Sequence, residues 1–205
     1  MSSFFYSTKT AKKEHYPIPE ALDTQHVLGI LHDHSVLAQV FWPTEVLEEK
    51  RTDSRSTTYT IGPSNATTKA TLTSQGDGVI CSEEMPLGLQ FTVTYRIVSP
   101  QENSQKETTK ETELVEAEST SSLLNSTIPL TEHRLYVEEE RSVLALKPLS
   151  KIINMSEGPI VKTQNLTMVL EELGRNGMDM ASALAILKGS LSPDCARELE
   201  KRKEE

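Results

Sequence analysis

The sequence predicts an α+β domain in which a curved antiparallel sheet closes around a C-terminal helix. Three observations lead there. The elements run in the order strand, two short helices, a succession of strands, then a longer helix. Residues 90–98 alternate, with Phe91, Val93, Tyr95 and Ile97 on one side and Thr92, Thr94 and Arg96 on the other, as a half-buried strand does. Leu166, Val169, Leu170 and Leu173 repeat at i, i+3, i+4, i+7, the spacing of a helix that buries one face.

Each element has a local reason. The aromatic, Thr-rich run from Phe4 to Thr10 reads as a first strand. Pro17 and Pro19 then break regular structure. Asp23 or Thr24 caps a short helix carrying Val27, Leu28, Ile30 and Leu31. Asp33 caps a second, with Val36, Leu37, Val40 and Phe41, and Trp42-Pro43 ends it because a residue before proline leaves the helical region. Val46-Leu47 and Thr57–Ile61 begin the strand region. Thr68–Thr73, with Ala70 and Leu72 on one face, meets Val79–Cys81 across Gln75-Gly76-Asp77-Gly78, where Asp and Gly supply the positive φ of a tight hairpin. Met85 to Leu89 is an apolar bend. Residues 99–122 are rich in Glu, Ser, Thr and Gln and bury too little to offset their ordering entropy, so they read as a disordered acidic loop. Arg134–Glu140 and Ser142–Leu146 are strand-like, and Glu138-Glu139-Glu140 reads as an exposed strand edge or hairpin turn rather than a metal site. Ser156-Glu157-Gly158-Pro159 opens the long helix and Gly174 stops it. Met180, Leu184, Leu187 and Leu191 share a face, and Pro193 opens a charged terminal helix.

Composition narrows the function. The chain has 205 residues, with 21 Lys+Arg against 30 Asp+Glu and a formal charge of -9. Phosphate binding needs clustered cations, so no nucleic-acid partner is expected. No apolar run nears the roughly 20 residues of a membrane span. Cys81 and Cys195 lie far apart and read as reduced thiols, and the first residues lack the charged leader and apolar stretch of a signal peptide, which together imply a cytoplasmic protein. Nucleotide-binding, nucleophile-elbow and zinc spacings are missing, so nucleotide-dependent enzymes, elbow-type serine hydrolases and zinc modules are disfavoured.

Ile30-Leu31-His32-Asp33-His34, followed by Leu37, Phe41 and Pro43, resembles the helix–helix junction of a fungal family of START-like (SRPBCC) helix-grip domains of unassigned function. The resemblance continues in Gly76-Asp77-Gly78, in the strand from Phe91 to Ile97 and in Leu135-Tyr136-Val137-Glu138-Glu139. Trp42 stands where that family usually has asparagine, and residues 175–205 have no counterpart in it. The resemblance implies a helix-grip domain over residues 3–173 with a helical extension at 175–205. It also implies a cavity between sheet and helix for a hydrophobic small molecule that is lipid-, polyketide- or terpenoid-like, no cofactor, and a role beside fungal secondary metabolism. Two other readings stay open: a cofactor-free cyclase or isomerase, and a non-catalytic interaction protein with a filled core.

The expected cavity wall is Phe91, Val93, Tyr95 and Ile97 from the sheet with Leu166, Val169 and Leu170 from the helix. For catalysis the candidates are His34, Glu83 and Tyr95. Histidine titrates near neutrality, and a carboxyl on a cavity face becomes a usable acid through desolvation. Glu83 and Glu84 point to opposite strand faces, so at most one enters a cavity, and surface exposure is the default for both. Tyr59 and Tyr136 are strand tyrosines with core packing as their default. His32 and His34 point apart on a helix, so no metal site is expected there. Cys81 reads as a buried structural thiol.

Overall fold

Eight strands form one curved antiparallel sheet in a computed structural model of the protein, which describes residues 6–45, 47–62, 68–99, 134–150, 153, 155, 158–175, 177 and 179–190. In chain order these residues form β1 (Tyr6–Thr10), β2 (Glu14–Pro17), α1 (Thr24–His32), α2 (His34–Phe41), β3 (Leu47–Thr52), β4 (Ser56–Ile61), β5 (Thr68–Gln75), β6 (Gly78–Met85), β7 (Leu89–Val98), β8 (Tyr136–Leu146), α3 (Lys147–Ser150), α4 (Val161–Arg175) and α5 (Met180–Ser190). A 3₁₀ turn at Pro86–Gly88 makes the apolar bend between β6 and β7. The sheet order is β1-β8-β7-β6-β5-β4-β3, and β2 pairs with the same side of β8 as β1 does. The expected acidic loop, the segment from Leu123 to His133, Leu191, Cys195 and the terminal charged helix lie outside the described residues.

Directly paired residues share a face, so the register defines the inner surface. Tyr59, Ala70, Leu72, Val79, Cys81, Val93, Tyr95 and Val137 all lie on it, and all are buried. Onto this face α4 lays Leu166, Val169, Leu170 and Leu173, each at most 1% exposed. Removing a side chain of that size from water stabilises by about 1.5–3 kcal/mol, so the apolar stripe read from the sequence anchors the helix in the sheet. This is the helix-grip arrangement. Val27 and Leu31 of α1, with Leu37, Val40 and Phe41 of α2, close one end of the same core. Ala183 and Leu187 of α5 join it from outside α4.

The junction between α1 and α2 works as its residues suggest. Asp23 caps α1 by accepting from the His26 N–H at 2.8 Å. Asp33 caps α2, its Oδ1 accepting from the N–H groups of Ser35 and Val36, both at 3.1 Å. Removing such a cap costs about 1 kcal/mol and up to 2. Asp33→Ala is therefore expected to lower unfolding stability by that amount in a urea titration, with Asp33→Asn retaining most of it. An unchanged midpoint in the alanine variant would show that the junction is held by its apolar contacts alone.

Several expectations are corrected. The chain around Pro17 is not irregular: Glu14–Pro17 is a strand, with proline at its last position. There, at the sheet margin, the missing N–H costs little. The long helix starts at Val161, after Gly158 at φ 95° and Pro159, and it runs through Gly174 to Arg175. Gly174 is not the stop. A Cβ there would sit 2.7 Å from the Pro19 Cβ, so glycine serves close packing. Neither Gly76 nor Gly78 takes a positive φ in the hairpin. The two segments around Glu140 are one strand of eleven residues, β8, which has partners on both sides. Its glutamates are no edge, since Glu138 is 5% and Glu139 0% exposed.

Candidate functional site

The inner face of β8 reads Val137, Glu139, Arg141, Val143 and Ala145, one face at period two. Glu139 pairs with Tyr95 and Arg141 with Val93, so an acid and a base enter the core side of the sheet. Each has its partner there. Glu139 Oε2 accepts from the Thr163 hydroxyl at 2.5 Å, and that hydroxyl also lies 3.0 Å from the Tyr95 hydroxyl. Glu139 Oε1 lies 2.9 Å from Arg141 Nε, and the Arg141 guanidinium donates to Glu14 Oε1 at 2.7 Å. Glu14 further accepts from the Tyr16 hydroxyl and from the Gly158 N–H. Burial pushes the Glu139 carboxyl above the ordinary range, with the Thr163 hydrogen bond and the Arg141 charge pulling the other way. The Tyr16 hydrogen bond, helped by Gly158 and Arg141, holds Glu14 below that range against burial.

The edge pairing explains how Arg141 comes to rest there. Between Thr10↔Ser142 and Glu14↔Glu139 the edge chain advances four residues against three of β8. The Ala11 N–H still donates to the Arg141 carbonyl at 2.9 Å, in continuation of the β1 register, so the extra residue is a bulge in the stretch between Ala11 and Glu14. A bulge re-aims neighbouring side chains, and here it brings Glu14 into register with Glu139. On the outer face, Glu138 contacts Lys13 at 2.8 Å and His15 at 3.3 Å, with Arg96 at 4.0 Å. Burial opposes its charge, but these partners, led by the Lys13 hydrogen bond, hold Glu138 below the ordinary carboxylate range.

Two clefts open at the end of the grip where α4 begins. The first, of about 270 Å³, is lined by Met85, Leu89, Phe91, Arg141, Val143, Ile153, Met155 and Ile160. Seven of these eight side chains are apolar, and the eighth is the base of the buried cluster. The second, of about 420 Å³, is lined by Trp42, Glu45, Ile61, Gly62, Thr68, Glu83, Met85 and Lys162. At its wall Glu83 accepts from Trp42 Nε1 at 2.9 Å through Oε1 and from Lys162 Nζ at 3.0 Å through Oε2. The ammonium lies 5.8 Å from the ring centres of both Trp42 and Phe91.

The centre of the grip is filled. Val93, Tyr95, Leu166 and Val169 are 0% exposed, and Leu170 is 1%. They are packed against one another and border neither cleft, as does Ile97 nearer the far end of β7. Among the seven residues expected to form a cavity wall, Phe91 borders a cleft. The cause is the bulk of Tyr95, which packs against Phe41 with ring centres 5.3 Å apart and the rings tilted by 36°, and occupies the middle of the sheet.

The three catalytic candidates do not come together. His34 places Nδ1 2.9 Å from the Thr57 hydroxyl and Nε2 3.0 Å from the Ser74 hydroxyl. Burial, then the nearby His32, holds its imidazole below the ordinary histidine value, and it borders neither cleft. Tyr95 is enclosed, and burial drives its phenol well above the usual value. Glu83 is buried rather than exposed and faces the second cleft, while Glu84 is outside with Lys69. His32 donates from Nε2 toward the carbonyls of Gln75 at 2.8 Å and Gly78 at 3.1 Å, fastening α1 to the β5–β6 hairpin. Tyr59 donates to the His34 carbonyl at 3.1 Å, and burial pushes its phenol up to about 12. Tyr136 is half-buried on the outer face of β8. Cys81 is a buried free thiol pushed up to about 12 by burial, far from the range of a nucleophile. Among the described residues no group of three His, Cys, Asp or Glu side chains is arranged to hold a metal ion, and no helix is long and apolar enough to cross a membrane.

Sequence reasoning missed Glu139, Arg141, Lys162 and Thr163. The signal was present for the first two. Period-two alternation carried without a break from Val137 to Ala145 places both on the buried face.

No family model matches the chain, and no curated protein matches it. Among solved structures it is similar to the di-domain ARO/CYC StfQ from the steffimycin biosynthetic pathway, at 11% identity and a TM-score of 0.39. The match covers 94% of this chain and 52% of that one, so the chain spans about half the length of the two-domain protein.

Proposed function

We propose that this chain binds a small, predominantly apolar molecule in the first cleft, between the β6–β7–β8 end of the sheet and the segment leading into α4. The observation that carries the reading is the lining itself: seven apolar side chains and one arginine around about 270 Å³, beside the packed centre of the grip. Ligand sites are mostly apolar with a few placed polar groups, and start near ~300 Å³. A cavity of ~150 Å³ takes up benzene, so this one suits a one- or two-ring molecule or a short chain. Met85 and Met155 give the wall adaptable side chains without fixed rotamer demands. A guest deeper in the grip would have to displace Tyr95 and Leu166, which are both packed.

The reading is one of binding. Cyclase or isomerase chemistry needs an acid or base free to reach the guest. His34 and Tyr95 are held by hydroxyl partners away from the cleft, and Glu83 does not line the first cleft and is paired with Lys162.

Toluene titrated calorimetrically into the protein is expected to give saturable binding at one site. Met155→Trp fills the cleft from the side facing the sheet and is expected to weaken toluene by about tenfold or more, since removing a ligand's burial costs on the order of the 1.4 kcal/mol that separates decades of affinity. The thermal midpoint should hold. Wild-type protein that takes up no toluene, or a variant that binds it equally well, sinks the proposal.

A further inference from the structure

We infer that the two clefts are halves of one bipartite site, whose ligand has an apolar body and a neutral oxygen-bearing end, a hydroxyl or a carbonyl. This rests on the first cleft being a binding site.

The partition between the clefts is thin. Met85 borders both. Phe91, a wall of the first, has its ring centre 5.8 Å from the Lys162 ammonium, which borders the second. Glu83 and Met85 are two apart on β6 and share its inner face. An unbranched thioether that swings aside therefore opens one space into the other. A molecule too long for the first cleft would run past Met85 and end at Glu83 and Lys162.

The charges at both ends select the class of molecule. In the first cleft Arg141 offers no uncompensated charge, because Glu139 and Glu14 lie on either side of its guanidinium. In the second, Lys162 is paired with Glu83, and Glu45 adds a further carboxylate to the lining. An anionic head would meet compensated cations at either end and a surplus carboxylate at the second. A hydroxyl or carbonyl fits instead. It accepts from one of the three ammonium hydrogens of Lys162, and a hydroxyl donates in turn to a remaining carboxylate lone pair of Glu83. The rings of Trp42 and Phe91 flank that ammonium and keep the apolar body in register with it.

Trp42 is the one tryptophan of the chain and borders the second cleft, so its emission reports on that end alone. Three probes test the inference by calorimetry and by Trp42 fluorescence: toluene, 1-decanol, and decanoic acid in its ionised form. Toluene should bind without moving the emission. Decanol should bind and shift it, and decanoate should bind at least about tenfold more weakly than decanol, the factor expected when a buried charge goes unpaired. Lys162→Met combined with Glu83→Gln removes both charges together and leaves no buried carboxylate alone. It takes away the ammonium donor and the carboxylate acceptor of the polar end, so it should weaken decanol by about tenfold while toluene is unaffected. Toluene binding together with a silent Trp42 on decanol addition, or equal affinity for decanoate and decanol in the wild type, overturns the bipartite site and leaves the first cleft standing. Failure of toluene itself removes the first cleft, and this inference with it.

Discussion

Arg141→Met is expected to cost about 3–5 kcal/mol of unfolding stability at neutral pH, the range for breaking a buried pair from one side. That is a large share of the ~5–15 kcal/mol that holds a domain together. The loss comes from what stays behind. Glu139 is fully enclosed and would keep hydroxyl partners, led by Thr163, but no cation, while Glu14 would keep the Tyr16 hydroxyl and the Gly158 N–H. The pH dependence follows from the direction of the Glu139 shift. Burial already raises its carboxyl in the fold, and loss of the guanidinium raises it further. A carboxyl raised in the fold holds its proton more tightly than in the unfolded chain, so stability falls as pH rises through the folded value. The deficit of the variant relative to wild type should therefore be greatest at neutral pH and above, and narrow on acidification toward the ordinary carboxylate range. Adding Glu139→Leu should recover more than half of the loss, because an apolar pair needs no partner. Urea titrations at neutral and mildly acid pH measure both effects. A deficit that is the same at both pH values, or a double variant no better than the single, would show that Arg141 acts through packing rather than charge.

How far the fold could be read from residues alone differs by the kind of signal. Asp33 announced itself, because a capping carboxylate needs only the next three residues. The inner face of β7 and the apolar stripe of α4 were legible for the same reason: period and burial coincide there. β8 was not. Its inner positions 139 and 141 are charged, and a rule that puts charge outside splits the strand at the place where it matters most. What makes those charges tolerable is supplied from far along the chain, by Glu14, Thr163 and the bulge between β1 and β2, and no local window contains it. Glu83 is a similar case. Its burial depends on Trp42 and Lys162, 41 and 79 residues away. The clefts were hidden for a different reason. Whether a grip leaves room depends on which side chain fills its middle, and Tyr95 does so through contacts with Phe41 and Thr163 that alternation cannot reveal.

The two glycines of the β5–β6 hairpin, read alike in the sequence, should respond in opposite ways to alanine. Gly78→Ala is expected to destabilise by about 3 kcal/mol or more, at or beyond the upper end of overpacking costs. A Cβ at Gly78 would lie 1.8 Å from the Tyr95 carbonyl oxygen, 2.8 Å from its carbonyl carbon and 2.9 Å from the Arg96 Cα. All three are backbone atoms, so no rotamer change relieves the clash and β6 must separate from β7. That separation would pull on the Gly78↔Arg96 pair, on the Ile97 N–H bond to the Asp77 carbonyl, and on the His32 imidazole that donates to the Gly78 carbonyl. Tyr95 would shift with its backbone, and the hydroxyl contact with Thr163 beside Glu139 would go with it. At Gly76 a Cβ meets nothing within 4 Å, and the backbone is outside the left-handed region. Alanine there restricts the unfolded chain more than the folded one, a gain of about 0.4–1 kcal/mol. Side-by-side urea unfolding of the two variants decides the matter. Equal and small effects would mean that β6 and β7 are not in the close register that sets Tyr95 at the centre of the core.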